Sequence, residues 1–441
     1  MRSLLTLCLA LAAAIPTQAD WPQWMGENRD GNVSGTGWIK SIPAEGLKTV
    51  WRMPIKGGYA GPSVADGRVY VTDYVRTSGE AVNDPGARAT LGGQERVLCF
   101  DAKTGKKIWE HAYDCPYSIS YPAGPRCTPT VDGDRVYALG AEGDLLCLST
   151  ADGSVIWQRN FKKDFNSAVP IWGHAAHPLV DGDQLICMVG GETQSVVSLD
   201  KMTGKEIWKR PTVGNDIGYC PPRIIQAGGT RQLITFSPKG IESLDPKTGK
   251  PYWDVPLTPL YGMSITMPQH DGNLMFASGI GSESVMLELG SDQPTVTELW
   301  RGEQKTSIYC ANSTPMIVDG VIYGSDCQVG HFAAIDTKTS DRLWTTFAPT
   351  TGGERRAKHG TAFVTKYGDQ FFLFSETGDL IIAAIDSKEY NEIGRFHVLE
   401  PTGECFGRSV VWSHPAYSGK HLFARNDKEI VCVSLDADDY K

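Results

Sequence analysis

Apolar and polar positions alternate along most of this chain in short runs, and one arrangement recurs five times. An apolar run ends in Asp, a polar turn follows, and a second short run ends in Trp. The segments are LCFDAKTGKKIW (Leu98 to Trp109), LCLSTADGSVIW (Leu146 to Trp157), VSLDKMTGKEIW (Val197 to Trp208), ESLDPKTGKPYW (Glu242 to Trp253) and AAIDTKTSDRLW (Ala333 to Trp344). The Trp sits eight residues after the Asp, or after Ser149 in its place, and Gly lies four residues after that position in four of the five. Short alternating runs between polar turns are strands. A unit that recurs every ~45–50 residues with about four strands is the signature of a β-propeller.

A second periodic signal is independent of the first. Turns of the type V-x-D-G-x-x-Y fall at Asp66-Gly67, Asp132-Gly133, Asp181-Gly182, Gly228-Gly229, Asp271-Gly272, Asp319-Gly320, Gly368-Asp369 and Ser418-Gly419. Asp-Gly between apolar runs marks a tight hairpin, because the turn needs φ > 0. The aromatic column gives the same count of eight: Trp51, Trp109, Trp157, Trp208, Trp253, Trp300 and Trp344, with Phe396 as a degenerate eighth member. In each unit an inner strand ends at the turn, a second returns, a third carries the Asp and a fourth ends in Trp. Trp51 precedes any inner strand, whereas Glu429 to Asp436 follows the last column residue. The simplest closure places Val50 and Trp51 in one blade with the last three strands, which removes the open edges. The expected fold is all-β, an eight-bladed propeller of four-stranded antiparallel blades.

The indoles read as structural wedges between blades. Burying ~150–250 Å² of each ring at ~25 cal/mol/Å² gives ~4–6 kcal/mol gross per Trp. A length of 441 residues would suit two or three domains, but the repeat fills the chain from 47 to 441 as one ring. Residues 20–46 form a lead segment. Its opening DWPQWMGENRDGNVSG carries two exposed-looking indoles, Trp21 and Trp24, and is expected to pack across one face. Residues 1–19 read as an export signal, with Arg2, an apolar run from Leu4 to Ile15, and cleavage near Ala19. That run is too short to span a bilayer, and Leu7 before Cys8 does not fit a lipid-attachment site. The mature chain is expected in the periplasm or secreted, as a monomer without a transmembrane segment. A net charge of −9 excludes a nucleic-acid surface.

Ten cysteines follow the signal. Cys99 and Cys147 stand two positions before the Asp/Ser column, where other units have Ser198, Ser243, Ala334 and Ala384. They read as small packing residues, as do Cys187 and Cys432. Cys310 and Cys327 flank the Asp319-Gly320 turn almost symmetrically and are candidates for a disulfide. No C-x-x-C spacing occurs, so no zinc ribbon is indicated.

The stretch before each inner strand is polar: GPRCTP, WGHAAHP, GYCPP, YCANSTP, RAKHGTAF and ECFGRSVVWSHP. Equivalent places in successive blades converge on the channel mouth. The candidate ring is Arg126, His174, His177, Tyr219, Asn312, Lys358, His359, Arg408 and His414. Such a set suits a small polar or anionic ligand, a polyhydroxy ligand or a protein partner; the plain alternative is a water-filled channel. His174 and His177 need not share a face, so no metal site is expected. Between Tyr74 and Glu95 lie ~20 extra residues without apolar period, read as a long loop of the kind that often binds.

The motif D-x-x-T-G-x-x-x-W resembles the quinoprotein-type repeat. That repeat occurs in pyrroloquinoline-quinone (PQQ) alcohol dehydrogenases and in the propeller lipoprotein of the outer-membrane β-barrel assembly machine. The opening W-P-x-W-x-G-x-N-R-D-G (Trp21 to Gly31) and the stretch from Gly124 to Leu148 look closest to exported PQQ-like propellers of unassigned role. The resemblance implies the fold across the whole mature chain. It implies a bound quinone only where the enzyme motifs are present, and the adjacent Cys-Cys pair and C-x-x-C-H are absent. G-x-S-x-G, H-E-x-x-H and a phosphate loop are absent too. The expected role is binding or scaffolding at the channel mouth, with no cofactor and no chemistry of its own. The alternatives are a PQQ- and calcium-dependent oxidoreductase with an atypical site, and a carbohydrate-active hydrolase or lyase.

Overall fold

The computed structural model describes residues 20–191, 195–211, 217–353 and 355–441; the expected export signal lies outside them. Among the described residues the strands form eight blades, each built on four antiparallel strands, and one separate two-stranded hairpin, Gly403–Cys405 with Arg408–Val410. Blade 1 runs Ser63–Ala65, Arg68–Ser78, Ala89–Asp101 and Lys107–Asp114. Blades 2 to 7 span 130–160, 179–210, 223–256, 269–301, 316–346 and 362–397. Blade 8 joins Ala416–Ser418, His421–Arg425 and Glu429–Ser434 to Thr49–Pro54 as its outermost strand. The ring closes as the count of turns and indoles requires. Burial follows the pleat. Second and third strands are buried nearly throughout, while outermost strands alternate, as in Lys107–Asp114. The residue before the indole faces solvent: Val50, Ile108, Ile156, Ile207, Leu299 and Leu343.

Each indole lies at the end of one cross-strand row. The rows include Tyr70–Cys99–Trp109, Tyr137–Cys147–Trp157, Phe276–Met286–Trp300, Tyr323–Ala334–Trp344 and Phe423–Cys432–Trp51. In these five rows the indole lies 5.9 to 6.2 Å from the aromatic ring of the second strand. The indole N–H crosses to the next blade. Trp51, Trp109, Trp157, Trp208 and Trp300 donate to the carbonyls of Ala102, Thr150, Lys201, Pro246 and Thr337, each just after the Asp/Ser column, and Trp344 donates to Asp386 itself. Trp253 bonds Gln232 within its own blade.

The Gly of the repeat is explained by the same contact. Gly105, Gly153, Gly204 and Gly249 have φ near +70°. A Cβ on any of them would lie 2.5 to 2.7 Å from an atom of the preceding blade's indole. The motif therefore carries both halves of the contact between blades: its Gly meets the indole of the blade before, and its Trp meets the turn of the blade after.

Phe396 is not the eighth column member. In blade 7 the row is Phe372–Ile382–Gly394, and exposed Ile393 precedes Gly394 as Ile108 precedes Trp109. The turn between paired residues is four long there (386–389) instead of six, which moves the bulge by two positions. The small-residue position is accordingly Ile382, not Ala384; with no indole opposite, a larger side chain fits. The missing wedge comes from the lead segment. Ile42 lies where a Gly394 side chain would go, and Trp38 is 6.2 Å from Phe372, matching the spacing in the other rows.

The lead segment also closes one end of the channel. Trp21 pairs with Val64 of blade 1, Val131 of blade 2 donates to Pro22, and Gly31 and Val33 bond Lys366 of blade 7. Trp21 and Trp24, exposed-looking in sequence, are 3% and 8% exposed. Arg29 is fully buried and donates to Pro222 O (2.8 Å), His177 O (3.2 Å), Pro178 O and Gln23 Oε1 (2.8 Å). It has no carboxylate partner, so desolvation lowers its pKa to about 9.

The expected loop in blade 1 is a hairpin in part. Val75 pairs with Gln94, Arg76 with Gly93, and Ala89–Leu91 pairs with Tyr117–Ile119. Its tip reaches over the channel, where the Asn83 amide donates to Glu404 O at 2.8 Å. Cys310 and Cys327 do come together, with Cys327 N donating to Tyr309 O at 2.7 Å. Both are buried free thiols here rather than a disulfide, each packed in its own apolar cluster. No helix among the described residues is long and apolar enough to cross a membrane.

Candidate functional site at the channel mouth

Inner strands run from the open mouth toward the hairpin turns, so the segments before them surround the opening. Two connected chambers lie there. The deep one, about 220 Å³, is floored by Trp24 of the lead segment and walled by Tyr59, Arg126, His177, Tyr219, Phe363 and His414. The outer one, about 1100 Å³, is lined by Tyr261, Ser282, Gln328, Lys358, His359 and Phe406. Tyr121, Trp172, Met263, Asn312 and Trp412 line both and form the collar between them. The result is a funnel, blind at its base.

Seven of the nine sequence candidates line this funnel: Arg126, His177, Tyr219, Asn312, Lys358, His359 and His414. Arg126 donates to the carbonyls of Gly124, Ser120 (2.9 Å) and Tyr121 (2.6 Å), and its cation sits 5.2 Å from the Tyr59 ring centre. His177 stacks on Trp24 at 5.1 Å, and its Nδ1 accepts the Thr128 N–H at 2.9 Å, so the proton is on Nε2. His414 Nε2 lies 2.8 Å from Thr128 Oγ1. Burial pushes the His414 pKa down to about 3 and that of His177 well below the ordinary value. His359 falls to about 4 by desolvation, aided by Arg408 and Lys358. Its Nδ1 is 3.0 Å from Asn312 Oδ1, and its ring stacks on Phe406 at 5.4 Å. With Asn312 as acceptor, the neutral ring carries its proton on Nδ1 and presents Nε2 as an acceptor.

The other two candidates lie elsewhere. His174 turns away between blades against Phe161, at 5.2 Å, with both ring nitrogens unpartnered and its pKa lowered to about 3. It is three residues from His177 on extended chain, so the two face opposite ways. Arg408 sits behind the rim. It pairs with buried Glu376 at 2.7 Å and donates to Lys358 O at 2.8 Å. Glu376 also accepts from Thr361 N (3.1 Å) and Trp412 Nε1 (3.2 Å). This cluster ties the Lys358–His359 loop to the segment bearing Trp412, so Arg408 positions the wall and does not line it.

Selecting polar side chains missed the aromatic ones. Tyr59, Tyr121, Trp172, Trp412 and Phe406 form most of the wall. Trp172 and Trp412 stand in the same segments as His177 and His414, and that position was the available signal. The backbone is unusual as well. Tyr121, Tyr261, Ser282, His359 and Phe406 all line the outer chamber with φ of +49°, +61°, +65°, +58° and +50°. Each costs roughly 1–2 kcal/mol in a non-glycine residue, and such strain concentrates at functional sites.

No Asp or Glu side chain lines either chamber among the described residues, so paired carboxylates for glycosidic cleavage are missing there. Cys327 reaches the outer chamber, but burial and Asp326 raise its thiol pKa well above the ordinary value. It is therefore not an activated nucleophile.

A family model described as outer membrane protein assembly factor BamB matches residues 93–346. The outer membrane protein assembly factor BamB of Burkholderia pseudomallei is 24% identical over 57% of this chain and 62% of its own. The quinoprotein alcohol dehydrogenase PedH of Pseudomonas putida is 26% identical over 39% of this chain. The match spans 27% of the length of that relative. Among solved structures, BamB from Moraxella catarrhalis superposes with a TM-score of 0.56 at 15% identity, covering 88% of this chain and 97% of that one. The quinohemoprotein alcohol dehydrogenase from Comamonas testosteroni gives 0.57 at 13% identity, covering 95% and 81%. These likenesses establish the fold.

The dehydrogenase relatives raise the question of whether this funnel suits PQQ with calcium. An acidic quinone needs free cations, and its metal needs anionic oxygen ligands. Among the described residues Arg126 is the sole charged side chain of the deep chamber, and three carbonyls hold it. No cluster of three His, Cys, Asp or Glu able to hold a metal occurs among the described residues. The residues do not fit that group.

Proposed function

The chain belongs to the family described as outer membrane protein assembly factor BamB, and from that premise we propose that it is an exported binding protein. It takes its ligand or partner at the open channel mouth and performs no chemistry of its own. One observation carries this reading: a blind, aromatic-walled funnel that, among the described residues, is lined by no carboxylate, activated thiol or metal-ligand cluster. Rigid walls with a few convergent polar groups are what a recognition pocket requires. Export is supported by the pattern of residues 1–19.

The mature protein mixed with PQQ and Ca²⁺ should show no quinone spectrum bound to protein and no dye-linked alcohol oxidation. It should release no reducing ends from a polysaccharide panel. Turnover in either assay, abolished by Asn312→Ala or His359→Ala, would replace the binding role with an enzymatic one.

A further inference from the structure

We infer that the outer chamber is a binding site for a short oligosaccharide bearing an anionic substituent, a carboxylate or a sulfate, read by Lys358. This rests on the binding role proposed above and names its ligand class.

Three features of the chamber converge on that ligand. The first is its wall. Tyr121, Trp172 and Tyr261 come from three separate connections between blades, and Phe406 and Trp412 from a fourth. Aromatic faces pack against the C–H faces of sugar rings, and Tyr and Trp combine an apolar body with a polar edge. Tyr261 is 79% exposed and Phe406 48% exposed, and exposed apolar surface rimmed by polar groups marks a binding site. The second is its polar set. Asn312, Gln328, Ser282 and neutral His359 all line the space. They supply amide, hydroxyl and imidazole groups that both donate and accept, which is what a row of sugar hydroxyls demands. The third is charge. Lys358 is the chamber's charged side chain, it is exposed, and it enters no ion pair among the described residues. Its backbone carbonyl is fixed by Arg408, and among the described residues no carboxylate lines the chamber to oppose an anion. A volume of about 1100 Å³ exceeds what a monosaccharide fills and suits a short chain.

The left-handed backbone gives the inference a test that a structural role would not satisfy. At Tyr261 and Phe406 glycine would relax the backbone. If these rings merely packed the rim, Tyr261→Gly and Phe406→Gly would leave binding untouched. If they are sugar platforms, both variants melt at the wild-type temperature or above it and yet lose the ligand.

The experiment titrates the full mature chain with tetragalacturonate, a sulfated carrageenan tetramer and cellotetraose, read by tryptophan fluorescence and calorimetry. Wild type should bind one of the acidic tetramers at least about tenfold more tightly than cellotetraose. Which acidic tetramer binds separates carboxylate from sulfate. Lys358→Ala should bring the acidic and neutral tetramers to equal affinity. Tyr261→Gly and Phe406→Gly should weaken all binding by about tenfold or more with melting temperature kept. No binding of any tetramer at millimolar concentration overturns the inference, as does equal binding of acidic and neutral tetramers. Reducing-end analysis of the same samples separates the two levels. Cleavage of a tetramer refutes the binding-only role, whereas absence of both binding and cleavage refutes the ligand class alone.

Discussion

Gly153 is the sharpest probe of how the ring holds together. It has φ +73°, and a Cβ built on it lies 2.5 Å from Trp109 Cε3, 2.8 Å from Cδ2 and 3.0 Å from Cζ3. Gly153→Ala therefore incurs two costs. The left-handed backbone costs ~1–2 kcal/mol in an alanine. Forcing the indole out of its seat adds ~1–3 kcal/mol, giving ~2–5 kcal/mol in all. Gly133 has φ +56° and nothing within 4 Å of its Cβ, so Gly133→Ala should cost only the backbone share. Trp109→Ala alone should cost ~3–5 kcal/mol. In that background Gly153→Ala has no ring to strike and should fall to the Gly133 value, a coupling of ~1–3 kcal/mol. Guanidinium unfolding followed by far-UV circular dichroism measures all four proteins. If Gly153→Ala were no costlier than Gly133→Ala, or if the two changes added without coupling, the wedge account would be wrong.

Three other outcomes follow from the same geometry. Trp38→Ala should destabilise by ~3–5 kcal/mol, as much as a column indole, because Trp38 packs against Phe372 at the spacing of the other rows; denaturation midpoints against Trp300→Ala check this. Arg29→Met should cost roughly 2–4 kcal/mol by leaving the carbonyls of His177, Pro178 and Pro222 unpaired, and acrylamide quenching of Trp24 should rise as the channel base loosens. His174 has its pKa lowered to about 3 by burial and then by Lys162, against about 6.5 unfolded. The unfolded chain thus binds more protons between those values, so stability is full above pH 6.5 and declines as pH falls toward 3. At pH 5 this one ring costs ~2 kcal/mol, and His174→Phe should flatten the acid limb of a melting-temperature profile.

The fold was readable because both halves of the contact between neighbouring blades, a Gly and a Trp, recur together in one short motif. Closure was readable by counting, since Trp51 had no sheet of its own. Blade 7 was misread because a turn two residues shorter keeps the strand but shifts its bulge, which places Gly394 and not Phe396 opposite Ile382. The lead segment's wedge at Trp38 and Ile42 carries no periodic signal, as it occurs once. At the mouth, seven of the nine named side chains line the funnel. His174 failed because burial between blades and exposure to a channel look alike in a strand of alternating residues. The aromatic wall was passed over because Tyr and Trp in a propeller read first as core. The positive φ of Tyr261, His359 and Phe406 leaves no trace in composition at all.

Recognition is proposed at the mouth of the blind funnel. Hydrogen–deuterium exchange of the full mature chain, with and without a saturating acidic tetramer, tests it most directly. Protection should appear in the loops carrying Tyr121, Trp172, Tyr261, Ser282, His359 and Phe406, with the blade edges unchanged. Protection confined to the outer strands or to the hairpin-turn face, with those loops unaffected, would contradict it.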